Sequence, residues 1–138
     1  MAVGIVIVSH SARLAEGVAE LAEQMSMGEV TIAVAGGTDD GSVGTSLDKV
    51  IAALQKASNP EGTLVLLDLG SAVMVTEMAL EQLDPSERQN IIISTAPLVE
   101  GAVLAAVEAS AGSTLAEVAE AANNGHEMPK GKPERNPS

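Results

Sequence analysis

The sequence predicts an α/β fold, with an open, mainly parallel sheet of about four strands and helices on both faces. Two observations carry this prediction. Four short apolar runs rich in Val, Ile and Leu recur along the 138 residues, and segments with helical periodicity separate them. Apolar runs without alternation are typical of parallel strands covered on both faces. Short connections between alternating strands and helices favour an open sheet.

The first strand and the first helix have the clearest patterns. Residues 3–8 are a nearly continuous β-branched run, which predicts a buried strand. Apolar residues then recur at spacings of three and four over residues 12–25, which predicts an amphipathic helix. Ser11 is the expected N-cap of this helix, because its side-chain oxygen can accept a hydrogen bond from a free helical N–H group.

A glycine-rich loop connects the second strand to the second helix. The strand is predicted at residues 29–35, and the loop follows as GGTDDGSVGTS. Thr45 or Ser46 would cap the helix, whose apolar positions run from 47 to 54. The loop is not a Walker motif, because no lysine precedes its threonine or serine. A nest of its backbone N–H groups would hold one phosphoryl group, and a flexible connection is the alternative.

The second half of the chain repeats the alternation of strands and helices. Its predicted elements, two strands and three helices, lie at residues 63–69, 73–83, 90–95, 98–111 and 115–122. Ser113 or Thr114 would cap the last helix. We expect one domain at 1–123 and a disordered polar tail at 124–138, because this end has three prolines, mixed charge and few apolar residues. His126 lies in that tail and is expected to be inert.

The composition excludes several classes of function. Without Phe, Tyr or Trp the chain has no ring to stack on a flavin or a single-stranded nucleic acid. Its formal charge of −12 disfavours contact with phosphate backbones. The absence of cysteine excludes disulfides, thiol catalysis and cysteine-ligated zinc. With no membrane-length apolar run and no secretory signal, we expect a cytoplasmic protein with no nucleic-acid or membrane partner.

The core must then be built from aliphatic residues and methionine. Four methionines lie at or near predicted helix positions and are expected to fill the core: Met25, Met27, Met74 and Met78. No metal is expected, since Asp39 and Asp40 are a lone pair of carboxylates in a loop.

The candidate site residues follow the predicted strands, where ligands gather in open parallel sheets. His10 ends the first strand beside a helix N-terminus, which favours anions, so its imidazole is a candidate phosphoryl acceptor with Ser11 as a donor. An unreactive capping histidine is the alternative. Asp68 ends the third strand and would fix the tautomer of His10 if those strands are neighbours. A simple turn cap is the alternative for this aspartate.

A response-regulator receiver also has an aspartate after its third strand, but it needs an acidic pair after its first. Here that position is Ser9-His10-Ser11, so a receiver is excluded. The serine-hydrolase motif G-x-S-x-G is also absent.

Four stretches carry a family resemblance over residues 3–109. They are VIVSHSARLAEGVAELAEQM, DDGSVGTS, LDLGSAVMVTEMALE and APLVEGAVLAA. The chain resembles the mannose-family EIIA domains of the bacterial phosphotransferase system. Within them it is similar to the DhaM family, the phosphotransfer subunits of PEP-dependent dihydroxyacetone kinase. The sugar-specific relatives tend to have HG after the first strand, where this chain has HS.

The resemblance implies a function and a set of partners. His10 matches the histidine that is transiently phosphorylated, and Asp68 matches the aspartate that hydrogen-bonds it. Supporting contacts to the phosphoryl group are expected from Ser9, Ser11, Thr38, Thr45, Gly70 and Ser71. The phosphoryl group would come from HPr and leave to ADP held on DhaL, which acts with DhaK on dihydroxyacetone. The family is homodimeric and needs no cofactor of its own.

Two alternatives remain open at this point. One is a mannose-family EIIA that serves a membrane sugar transporter. The other is a non-catalytic regulatory module whose binding depends on phosphorylation of His10.

Overall fold

The computed structural model describes residues 2–131 and confirms the predicted α/β architecture. Its four strands are β1 Gly4–Ser9, β2 Ile32–Gly36, β3 Thr63–Leu67 and β4 Ile91–Ile93. Its helices are α1 Ala12–Ser26, α2 Leu47–Ala57, α3 Ser71–Glu81, α4 Pro85–Arg88, α5 Leu98–Ser110 and α6 Leu115–Asn123. A 3₁₀ turn at Asn124–Glu127 follows α6.

The sheet is parallel throughout, in the order β2-β1-β3-β4. β1 is therefore a central strand, and β1 and β3 are neighbours as the site hypothesis requires. In the register, Val8 lies opposite Leu67. The residues that follow these two strands thus meet at the carboxyl edge of the sheet. The strand order reverses between β1 and β3, which makes this edge the topological switch point.

Two aliphatic layers cover the sheet, because successive side chains of a strand point to opposite faces. Ile5 and Ile7 of β1 pack in one core with α1, α5 and α6. Val6 and Val8 of the same strand pack in the other core with α2 and α3. The near-continuous apolar run of β1 is explained by this burial on both sides.

The helix starts agree with the capping residues in the sequence. Ser11 caps α1 by accepting a hydrogen bond from the Leu14 amide at 3.2 Å. Of the paired candidates, Ser46 caps α2 and Thr114 caps α6, the latter in a reciprocal capping box with Glu117.

The first residues of the expected tail are ordered in the structure. Residues 124–127 form the 3₁₀ turn, and Gly125 is buried close to Glu100 and Pro97. His126 Nε2 lies 3.0 Å from the carbonyl oxygen of Thr95. The expected disorder is wrong here because these contacts with α5 and with the segment after β4 order the chain. Residues 132–138 lie outside the described residues.

The expectation that four methionines fill the core is also wrong. Met25, Met27, Met74 and Met78 are 50 to 86% exposed. Small side chains, mainly alanine, occupy the buried faces of the helices instead. Among the described residues, no helix is long and apolar enough to cross a membrane.

Candidate functional site

His10 and Asp68 meet at the switch point, as the sequence predicts. His10 follows the last residue of β1, and Asp68 follows the last residue of β3. The ring Nδ1 of His10 lies 3.0 Å from Asp68 Oδ1, and the His10 amide donates to Asp68 Oδ2 at 2.9 Å. The side chains are 22% and 11% exposed, respectively. The imidazole is therefore anchored through its own backbone and one ring nitrogen, and it still reaches solvent.

Ser9 contacts this pair from the buried side. Its side chain is fully buried, and its hydroxyl donates to Asp68 Oδ2 at 3.0 Å. The Ser9 hydroxyl oxygen in turn accepts a hydrogen bond from the Ser11 amide at 3.0 Å. Ser9 thus joins Asp68 to the start of α1. The contact to a phosphoryl group that we expect from Ser9 stays a prediction.

Ser71 lies at the opposite nitrogen of the ring. Its Oγ is 2.8 Å from His10 Nε2. An ionised carboxylate accepts only, so the proton on Nδ1 faces Asp68 and leaves Nε2 as the acceptor of the Ser71 hydroxyl. The arrangement therefore selects one tautomer, in which Nε2 carries a lone pair and no proton.

The carboxylate of Asp68 stays ionised despite its partial burial. Burial by itself raises the pKa, but the hydrogen bonds from the His10 amide, the His10 ring and the Ser9 hydroxyl outweigh it. Together they hold the pKa of Asp68 below its ordinary value. A negative charge is therefore fixed beside the ring, where it stabilises any positive charge that develops on the imidazole.

Two helices begin at this edge. α1 starts two residues after His10, and α3 starts at Ser71, with Gly70 as an N-cap that makes no side-chain bond. The positive ends of both helix dipoles thus lie beside the ring, which favours an anion there. In the first turn of α3, the amides of Ala72 and Val73 donate to the carbonyl oxygens of Leu69 and Gly70. Ser11 belongs to the first of these helix starts and is half-buried.

The glycine-rich loop bonds mostly to itself. The Thr38 hydroxyl donates to Asp40 Oδ1 at 2.6 Å, and Ser42 donates to the same oxygen through its amide and hydroxyl. The hydroxyls of Thr38 and Ser42 lower the pKa of Asp40 to about 2. Two backbone bonds reach the site, since the Gly37 amide donates to the Ser9 carbonyl at 3.1 Å and the Gly44 amide donates to the His10 carbonyl at 2.9 Å. Within residues 2–131, neither Thr38 nor Thr45 forms a side-chain hydrogen bond with His10.

The described part of the chain holds no group of three or more His, Cys, Asp or Glu side chains with the geometry of a metal site. The chemistry available at the switch point is thus that of one imidazole, one carboxylate, three serine hydroxyls and two helix starts. This set suits transfer of an anionic group to a nitrogen.

Two features of the site were not predictable from the sequence. The bond from Gly44 holds the loop over His10, and only the position of the loop directly after β2 hinted at it. A cleft beside Asp68 includes Glu77 of α3. No local pattern singled out that glutamate, because its place depends on how α3 lies against the sheet.

The fold and this edge of the sheet define the chain as an EIIA-type domain. The family model described as the PTS system fructose IIA component, EIIA-man, matches residues 4–119. The chain therefore belongs to the EIIA-man family.

Relatives within this family carry a more specific name. A PEP-dependent dihydroxyacetone kinase phosphoryl donor subunit DhaM from Klebsiella michiganensis is 45% identical over 88% of this chain. This chain spans only 26% of that protein's length. A second DhaM, of dihydroxyacetone kinase 2 from Listeria innocua, is 40% identical over 77% of this chain and 85% of its own. The resemblance to DhaM drawn from the four sequence stretches is confirmed.

A solved structure agrees on the fold. The crystal structure of EF1359, a protein of unknown function, superposes with a TM-score of 0.83 at 36% identity. The match covers 96% of this chain and all of that one.

Proposed function

We propose that this chain is a phosphohistidine carrier. It takes a phosphoryl group from phospho-HPr and passes it to ADP on a DhaL subunit, which serves DhaK and its substrate dihydroxyacetone. The observation that carries the proposal is the His10 ring, held at Nδ1 by Asp68 with Nε2 beside the Ser71 hydroxyl. The relatives named DhaM support the choice of pathway. The carrier acts in the cytoplasm as a homodimer and uses no cofactor of its own.

In the loading step, Nε2 of His10 attacks the phosphorus of phospho-HPr in line. The new P–N bond forms as the P–N bond to the donor histidine breaks, and its electron pair returns to the donor nitrogen. The proton on Nδ1 stays in place, facing Asp68, whose charge stabilises the imidazolium-like product. Before the attack, the Ser71 hydroxyl donates to the lone pair of Nε2. It turns away as the P–N bond forms and then donates to a phosphoryl oxygen.

In the unloading step, a terminal phosphate oxygen of ADP attacks the same phosphorus. The P–Nε2 bond breaks, its electron pair returns to Nε2, and ATP forms. The positive dipole ends of α1 and α3 stabilise the negative charge of the equatorial oxygens in both directions. The histidine ends in the tautomer in which it began, so the chain is ready to accept another phosphoryl group.

Mass spectrometry of the intact chain tests the carrier function. With phosphoenolpyruvate, enzyme I and HPr, the chain should gain the mass of one phosphoryl group, and acid should remove it. The His10→Ala chain should gain nothing, because it lacks the nucleophile. The His126→Ala chain is the matched control and should be labelled fully. Labelling of the His10→Ala chain would refute the assignment.

The acceptor is tested by a second stage of the same experiment. Loaded chain is mixed with DhaL and ADP or with an EIIB domain of a sugar transporter. We expect loss of label and formation of ATP with DhaL only. Transfer to EIIB alone would favour the sugar-transport alternative, and transfer to neither would favour a regulatory module.

A further inference from the structure

A serine, a histidine and a carboxylate follow one another at the carboxyl edge of the sheet. Ser71 Oγ is 2.8 Å from His10 Nε2, and His10 Nδ1 is 3.0 Å from Asp68 Oδ1. Both distances lie within the roughly 2.6–3.2 Å at which a base activates a nucleophile. This order of groups activates a serine for acyl transfer in unrelated folds, where it is recognised by its geometry. The absence of the motif G-x-S-x-G therefore does not exclude such a triad here.

The protons are placed as this chemistry requires. The carboxylate of Asp68 is ionised, because hydrogen bonds hold its pKa below the ordinary value, and it keeps the ring proton on Nδ1. His10 Nε2 then carries no proton and accepts the hydroxyl of Ser71. A base that takes up this second proton becomes an imidazolium, which the adjacent carboxylate stabilises.

Ser71 also has the surroundings of a nucleophile. Its side chain is exposed, so a small molecule reaches it from solvent. Within residues 2–131, the amides of Gly70 and Ser71 donate no hydrogen bond. Free amides beside a nucleophile are donors for the oxygen that becomes negative when a carbonyl is attacked. The positive end of the α3 dipole adds to this effect.

We propose that Ser71, His10 and Asp68 form a catalytic triad that hydrolyses small uncharged carboxylic esters. The charge of the chain sets this substrate class, since the Asp68 carboxylate and the −12 overall repel an anionic ester. The activity goes beyond the carrier function, because Nε2 acts here as a base toward Ser71 and not as a nucleophile toward phosphorus. It needs no phosphoryl donor, so either function can fail without the other.

In the first half of the reaction, Ser71 Oγ attacks the carbonyl carbon, and its proton passes to His10 Nε2. The carbonyl oxygen becomes negative beside the amides of Gly70 and Ser71. The C–O bond to the alcohol then breaks, and the alcohol leaves with the proton from Nε2. In the second half, water attacks the acyl-serine, and a water proton passes to Nε2. The bond from the acyl carbon to Oγ breaks, Oγ takes the proton back, and the carboxylic acid leaves.

Release of p-nitrophenol from p-nitrophenyl acetate tests the activity on the unchanged chain. The rate above that of buffer should fall at least about tenfold in Ser71→Ala and in His10→Ala, because the members of a triad act as a unit. Ser86→Ala is the matched control, since Ser86 is an exposed serine at the start of α4. Its rate should stay within about twofold. An unchanged rate in Ser71→Ala would mean that Nε2 attacks the ester itself, which would overturn the triad.

A fluorophosphonate probe locates the nucleophile. An activated serine forms a P–O bond to the probe as fluoride leaves, and peptide mapping by mass spectrometry finds the adduct. We expect an acid-stable adduct on Ser71. Labelling of Asp68→Asn should be at least about tenfold slower, because an amide at this position favours the wrong tautomer of the ring. An acid-labile adduct on His10, or no adduct on the unchanged chain, would overturn the inference.

Discussion

At the scale of single residues, the carboxylate of Asp68 organises the site. Its Oδ2 accepts from the Ser9 hydroxyl and the His10 amide, and its Oδ1 accepts from the Leu69 amide and faces the His10 ring. Four contacts on two oxygens leave little freedom of rotation. The carboxylate therefore sets the position of the histidine, its orientation and the nitrogen that stays free.

We predict that Asp68→Asn slows loading of His10 by roughly ten- to a hundredfold. An asparagine amide has the shape of the carboxylate, but its NH₂ group cannot accept from the donors that meet whichever carboxylate oxygen it replaces. The change also removes the charge-assisted bond to the ring, which is worth about 1.5–3 kcal/mol. Each 1.4 kcal/mol corresponds to about tenfold in rate. Single-turnover loading from phospho-HPr measures the effect.

Asp40→Asn provides the control for that experiment. Asp40 is likewise an aspartate whose pKa lies below the ordinary value, but it is exposed in the glycine-rich loop and bonds to Thr38 and Ser42. The loading rate of the Asp40→Asn chain should stay within about twofold of the rate of the unchanged chain. Equal rates for Asp68→Asn and the unchanged chain would show that the carboxylate does not orient the ring.

At the scale of elements, the close approach of β2 to the start of α1 holds the site in place. A Cβ added to Gly36 would lie 2.7 Å from the Ala12 Cα and 2.9 Å from the Ser11 carbonyl oxygen. Only a glycine lets the two backbones come this close. The start of α1, which carries the N-cap beside His10, depends on this contact.

We predict that Gly36→Ala destabilises the fold by about 1–3 kcal/mol, the usual cost of overpacking a tight contact. Urea unfolding measures the difference. Gly17→Ala is the opposite control, because nothing lies within 4 Å of its added Cβ in the middle of α1. That change should stabilise the chain by about 0.5–1 kcal/mol. A Gly36→Ala chain as stable as the unchanged one would contradict the packing argument.

Elements with local causes were predictable from sequence, and those with distant causes were not. Ser11 and Thr114 cap their helices through bonds to amides three residues away. The local sequence is therefore enough to predict these helix starts. The turn at 124–127 forms because Gly125 packs near Glu100, a contact that no local pattern contains. Apolar residues lie on most sides of α3, so the periodicity of its sequence did not show that Met74 is exposed. The pairing of His10 with Asp68 required the strand order, which spacing left open.

At the scale of the whole molecule, a strongly acidic surface carries exposed apolar side chains. The chain has seven basic residues and nineteen acidic ones. Yet on helices α1, α3 and α5, residues such as Leu21, Met74 and Val107 are more than 40% exposed. Apolar patches favour association, while like charge on two copies opposes it. The balance between these effects depends on salt.

We predict a homodimer that is stable at physiological salt and weaker at low salt. At about 0.15 M salt the Debye length is about 8 Å, so most repulsion between two copies is screened. At about 0.01 M it is about 30 Å, and each charge acts across the contact. Light scattering at micromolar concentration should give twice 13.9 kDa in the first condition and a lower mean mass in the second. A mass of 13.9 kDa in both would mean that the exposed apolar side chains serve other proteins instead of a second copy.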